Sequence, residues 1–107
     1  MNAPLETVLA DLRSQLTALY GPRLDRVILF GSRARGDAEP DSDIDVMIVL
    51  KQRVDDRGPE RERYMAVAAD LSLKYNTVLM PFLTDARTYA TSDFSLFDNV
   101  RREGVPV

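Results

Sequence analysis

Residues 26–50 read RVILFGSRARGDAEPDSDIDVMIVL, two apolar runs separated by a loop dense in charge. The first run, 27–30, suits a short buried strand and is stopped by Gly31. Glycine permits a tight turn and a close backbone approach to a ligand. Ser32 is read as the cap of a following helical turn, with a hydroxyl to offer. Backbone N–H groups at such a strand-to-helix junction lack partners and lie at the positive end of the helix dipole, so they attract anions such as phosphate. Arg33 and Arg35 add fixed positive charge, with the fork geometry that suits phosphate oxygens. Gly31, Ser32, Arg33 and Arg35 are therefore candidate phosphate- or nucleotide-binding residues.

The second run, 44–50, is rich in valine and isoleucine and reads as another buried strand. Asp43 and Asp45 stand at its head. Side chains two apart on a strand share a face, so both carboxylates point one way while Ile44 and Val46 point to the core. Two such charges roughly 6 Å apart repel by about 3 kcal/mol at an effective dielectric near 20. A hard divalent cation relieves that repulsion, and Mg²⁺ held by one or two carboxylates plus substrate phosphates fits oxygen ligands at this spacing. Asp43 and Asp45 are the candidate metal ligands and catalytic residues. The plain alternative is a turn, a helix cap and a solvated acidic loop of Asp37, Glu39, Asp41, Asp43 and Asp45. A calcium loop starting at Asp41 fails on chemistry. Its sixth position is Val46 and its twelfth Gln52, where glycine and a bidentate glutamate are needed.

Gly31, Ser32, Asp43 and Asp45, with the arginines and Gly36 between them, resemble the signature of the DNA polymerase beta-like nucleotidyltransferase superfamily. The fuller GSRARGDAEPDSDIDV resembles its minimal nucleotidyltransferase branch, over nearly the whole chain. The resemblance implies one nucleotidyltransferase domain over 1–107. It also implies transfer of a nucleoside monophosphate from a nucleoside triphosphate, here taken as AMP from ATP, to an acceptor hydroxyl with Mg²⁺ assistance. Gly31 and Ser32 would hold the β and γ phosphates, and Asp43 and Asp45 would bind Mg²⁺. Members of this branch are often antitoxins paired with HEPN-type toxins, some of them adding AMP to the toxin, so a HEPN-type protein is the implied partner.

The chain departs from that pattern in one respect. Active members usually carry a third acidic residue on a later strand, and the strand expected at 77–83, TVLMPFL, has none. Asp70 is placed on the preceding helix and Asp85 in the following turn. Two readings follow: a working transferase completed by another group or chain, or a nucleotide- or protein-binding antitoxin whose chemistry has lapsed.

Composition narrows the field further. With no cysteine and no histidine, disulfides, thiolate–zinc sites and Ser–His catalysis are excluded, leaving oxygen-ligand metals. A net charge of −3 speaks against a general nucleic-acid surface. No apolar run approaches the roughly 20 residues that span a bilayer, and the N-terminus lacks a signal-peptide pattern, so a cytoplasmic location is expected. At 107 residues a single domain is expected, with no separate acceptor-binding domain. Superfamily members that modify small molecules or nucleic acids generally carry additional acceptor-binding elements, so the resemblance implies an acceptor on another protein.

The remaining elements alternate, and the expected fold is a small α/β domain with a mixed sheet of three or more strands and helices mainly on one face. Pro4 opens a helix with Leu5, Val8, Leu9, Leu12, Leu16 and Leu19 at helical spacing, stopped at Gly21 and Pro22. A charged connection fills 51–58, and Pro59 opens a second long helix to Tyr75 with Tyr64, Val67, Ala68 and Leu71 on one face. Asn76 is its expected terminator. Pro81 confines the third strand to a sheet edge or a bulge, and an exposed edge there makes homodimer formation possible. Ser92 or Asp93 is expected to cap a last helix reaching Glu103, with Phe94, Leu96, Phe97 and Val100 as its apolar face.

Overall fold

The computed structural model describes residues 3–39, 41–53 and 57–107. Its centre is a mixed sheet of four strands, β1 (Leu24–Phe30), β2 (Ile44–Leu50), β3 (Leu79–Asp85) and β4 (Val105–Pro106), in the order β3-β2-β1-β4. β1 and β2 are antiparallel, with Phe30 opposite Asp45. β3 runs parallel to β2, with Met80 opposite Asp45. A parallel pair needs a crossover, and the long helix α3 (Pro59–Tyr75) supplies it.

α3 matches its sequence signals at both ends. Proline lies in the first turn with Glu60 and Glu62, Lys74 in the last, and Asn76 closes the helix in the left-handed conformation at φ 51°. α1 (Leu5–Tyr20) lies beside it on the same face of the sheet, burying Val8, Leu12, Leu16 and Tyr20. Both helices pack on the side chains of β1 and β2 that alternate inward, including Val27, Leu29, Ile44, Val46 and Ile48.

The opposite face is covered too. α5 (Ser95–Glu103) presses Phe97 and Val100 onto Ile28, Met47 and Val49, with Tyr89 and Ala86 of α4 (Ala86–Thr91) at its margin. β2 is thus buried on both faces, which accounts for its nearly unbroken apolar sequence.

Three local expectations shift. The third strand begins two residues later than 77–83, because Thr77 and Leu79 are first tied back to Ser72 of α3 by Thr77 N–H on the Ser72 carbonyl (3.0 Å) and Leu79 N–H on the Ser72 hydroxyl (3.0 Å). The last helical segment is split: Asp85 caps α4 by accepting from Thr88 N–H at 2.9 Å, and α5 starts only after Phe94, without a side-chain cap. Phe94 consequently points outward, 74% exposed, so it is not core. The edge position of Pro81 holds, since β3 is the outermost strand on its side. The charged connection at 51–58 lies partly outside the described residues.

Candidate functional site

Gly31 ends β1 and serves as the N-cap position of a single helical turn, α2 (Ser32–Arg35), at φ 75°, ψ −156°. That region of backbone space is essentially reserved for glycine and costs other residues of order 1–3 kcal/mol. A second constraint falls on the same atom: a Cβ at Gly31 would lie 2.5 Å from Oδ2 of Asp45. The turn and the acid are therefore packed directly together, as the antiparallel pairing of Phe30 with Asp45 requires. Ser32 is the first helical residue rather than the cap, and the turn's recorded hydrogen bonds begin with Ala34 and Arg35 N–H on the Gly31 carbonyl (3.1 and 3.2 Å). Its side chain is half-buried, open enough to meet a ligand.

Asp45 lies within the β2 ladder, whereas Asp43 lies just before it. Both share the parity of Met47 and Val49, so they stand on the α5 face, at the rim of the second apolar cluster. Asp43 is exposed and Asp45 half-buried. Burial pushes the Asp45 carboxyl above the ordinary carboxylate value, and the negative charge of Asp43 adds to that shift. Among the described residues, neither carboxylate has a hydrogen-bond or ion-pair partner. No group of three or more metal-ligating side chains forms among the described residues. Two carboxylates under mutual repulsion still fit a Mg²⁺ ion that takes most of its oxygens from phosphates and water.

Met80 is the residue opposite Asp45 on β3, and it is 49% exposed. Asp85 is the last residue of β3, five positions further along the strand, and its carboxylate is taken by the backbone and hydroxyl of Thr88 at 2.9 Å each. Asp70 lies on α3, on an exposed position.

The two arginines of α2 are engaged with protein acceptors. Arg33 donates Nε (3.1 Å) and Nη2 (2.8 Å) to the carbonyl of Ser42. Arg35 meets Asp37 at 3.2 Å and Glu103 of α5 at 3.6 Å. Asp37 is only two residues from Arg35, whereas Ser42 and Glu103 lie nine and 68 positions from their arginines and leave no local pattern in the sequence. A cavity of about 860 Å³, lined by Lys51, Phe82, Asp85, Arg87 and Phe97 among others, lies at the far end of β2 and includes none of Gly31, Ser32, Asp43 or Asp45. The expected site residues Gly31, Ser32, Asp43 and Asp45 instead lie where α2 meets the head of β2.

Comparisons with known proteins agree on the kind of fold. A family model described as a nucleotidyltransferase domain matches residues 9–95. A candidate protein adenylyltransferase of Methanocaldococcus jannaschii is 34% identical over 100 residues, covering 94% of this chain and 95% of that protein. A second from the same organism is 30% identical over 100 residues, covering 92% and 93%. Among solved structures, a candidate minimal nucleotidyltransferase superposes with a TM-score of 0.63 at 24% identity, over 98% of this chain and 97% of that one. A toxin–antitoxin crystal structure with AMP-PNP superposes with a TM-score of 0.64 at 20% identity, over 96% of this chain and 72% of that one. At these identities the structures establish the shared architecture.

Proposed function

Since the chain belongs to the nucleotidyltransferase domain family, we propose that it is a Mg²⁺-dependent transferase of a nucleoside monophosphate, AMP from ATP, to a hydroxyl on a partner protein. The observation that carries this reading is the close approach of the Gly31 backbone to the Asp45 carboxylate, which sets the strand-to-helix turn beside an acid pair that has no ion-pair partner among the described residues. Gly31 and Ser32 would receive the terminal phosphates, with the charge of Arg33 and Arg35 nearby. Asp43 and Asp45 would hold Mg²⁺, which when bound would offset charge on the phosphates. The acceptor oxygen would bond to the α-phosphorus as the bond to the β-phosphate bridge breaks, with pyrophosphate leaving and the hydroxyl proton passing to solvent. The chain's own task is positional: the turn fixes the phosphate tail, the strand fixes the acids, and the notch where α2 meets the head of β2 would admit an acceptor from outside.

The curated relatives carry protein adenylyltransferase names, and solved neighbours are toxin–antitoxin proteins, one with AMP-PNP. Those facts support ATP as donor and a protein as acceptor. Our reading adds, from the sequence resemblance, a cytoplasmic antitoxin of a HEPN-type toxin with one domain over 1–107. Labelled ATP incubated with Mg²⁺ and the partner should transfer label, and the double variant Asp43→Ala, Asp45→Ala should lose it entirely. An unlabelled partner with the unmutated protein would refute the transferase reading.

A second reading is favoured by Met80. With an apolar side chain opposite Asp45 on β3, the chain could neutralise its partner by binding alone, with the nucleotide notch regulatory. In that case the double variant still neutralises.

A further inference from the structure

Asp43 and Asp45 are held in different ways. Asp45 is inside the sheet, paired across β1 and flanked by β3, so the ladder fixes its backbone. Asp43 precedes the strand. On its C-terminal side the chain is anchored by Ile44 N–H on the Val78 carbonyl at 2.8 Å. On its N-terminal side is Ser42, whose carbonyl receives two N–H groups of Arg33. Ser42 N–H in turn bonds the Glu39 carbonyl at 3.0 Å, closing a turn at the end of the acidic loop.

We infer that Arg33 is a positioning residue for the acid pair: its half-buried guanidinium clasps Ser42 to the phosphate-accepting turn and thereby sets where Asp43 stands relative to Asp45. The inference rests on the nucleotidyl-transfer reading for its functional consequence, but the clasp itself is a property of the protein without ligands. Arg33 follows Ser32 directly, so one helical turn presents the cradle on one residue and grips the metal-binding loop with the next. Two N–H groups on one carbonyl oxygen are what a planar guanidinium can supply and a lysine ammonium, a compact point charge, reproduces poorly. This distinguishes a clasp from a phosphate contact, for which positive charge alone retains much of the effect. Loss of an outer-shell group that orients a ligand typically costs about 10- to 100-fold in metal affinity or activity.

Arg33→Lys and Arg33→Met separate the possibilities. In the ligand-free protein, amide hydrogen exchange across 37–43 should quicken several-fold in both variants while 44–50 stays as in the unmutated chain. In calorimetry, Arg33→Lys should need about tenfold more Mg²⁺ than the unmutated protein to reach half of its own Mg²⁺-dependent enhancement of ATP binding, the lower end of the outer-shell range. Unchanged exchange in both variants overturns the inference, as does Mg²⁺ dependence fully retained by Arg33→Lys. Should the unmutated protein bind no ATP under any condition, the transferase reading fails, and the exchange measurement still decides the clasp.

Discussion

Asp11 on α1 and Asp45 on β2 are both half-buried aspartates, and the protein treats them in opposite ways. Asp11 accepts from the Tyr75 hydroxyl at 2.6 Å, the Lys74 ammonium at 2.9 Å and Gln15 at 3.2 Å, bridging α1 to the end of α3. Those donors, Tyr75 first, hold its carboxyl down at about 2. Asp45 has Asp43 beside it and no donor among the described residues, and burial holds its carboxyl up. The same fold that satisfies one carboxylate with three side chains at a helix seam sets another, without a partner among the described residues, at the head of a strand. The contrast teaches that the charge at the notch is not forced by shortage of donors: Arg33 and Arg35 are a few residues away and are spent on Ser42, Asp37 and Glu103. An acid pair arranged in this way has the property a metal site needs, a free energy that falls when a cation arrives.

The contrast breaks most severely at Gly31. Gly31→Ala forces a Cβ against the Asp45 carboxylate and into backbone space that costs of order 1–3 kcal/mol. We expect ATP binding to be lost in calorimetry and the urea midpoint to fall. Next in size, Mg²⁺ with ATP at about 100 times the dissociation constant should stabilise the unmutated protein by about 2.7 kcal/mol in thermal unfolding. The double variant Asp43→Asn, Asp45→Asn should gain nothing.

Smaller effects test the two aspartates against each other. At neutral pH and without metal, Asp45→Asn should raise the melting temperature, because it removes a charge the folded state disfavours, whereas Asp11→Asn should lower it. Melts with the same sign for both would contradict the contrast. The pH dependence follows with opposite signs. Asp11 has a folded-state value below its ordinary 3.8, so its contribution is present above that value and disappears as pH falls through about 2. Asp45 has a raised folded-state value, so its penalty is absent well below 3.8 and sets in as pH rises through that raised value. The difference between Asp45→Asn and the unmutated protein should therefore close in acid, while that for Asp11→Asn persists down to more acidic conditions.

Much of this was legible in one dimension. The bounds of β2 and α3, the left-handed Asn76, the edge position of Pro81 and the shared face of Asp43 and Asp45 all come from short-range rules, namely strand alternation, helix end signals and the lost donor of proline. Gly31 was identifiable as a turn residue, but its closeness to Asp45 depends on the pairing of β1 with β2. α4 and β4 escaped because six and two residues carry too little periodicity to register. β4 exists through Arg13 on the Val107 carbonyl (2.9 Å) and Val107 N–H on the Val27 carbonyl (2.9 Å).

By itself the sequence determined the longer elements and the chemical inventory: a Gly-Ser turn after a strand, two acids with like-facing side chains, and no imidazole or thiol to compete with oxygen ligands. Tertiary structure decided the partners. It placed Met80 opposite Asp45, sent Asp85 to cap α4, engaged Arg33 with Ser42, and laid α5 over Ile28, Met47 and Val49 on the sheet face that Asp45 shares. The physical reason is range, since turn and helix preferences are set by neighbours a few residues apart, whereas strand register, burial and charge pairing depend on residues that only the folded chain brings together.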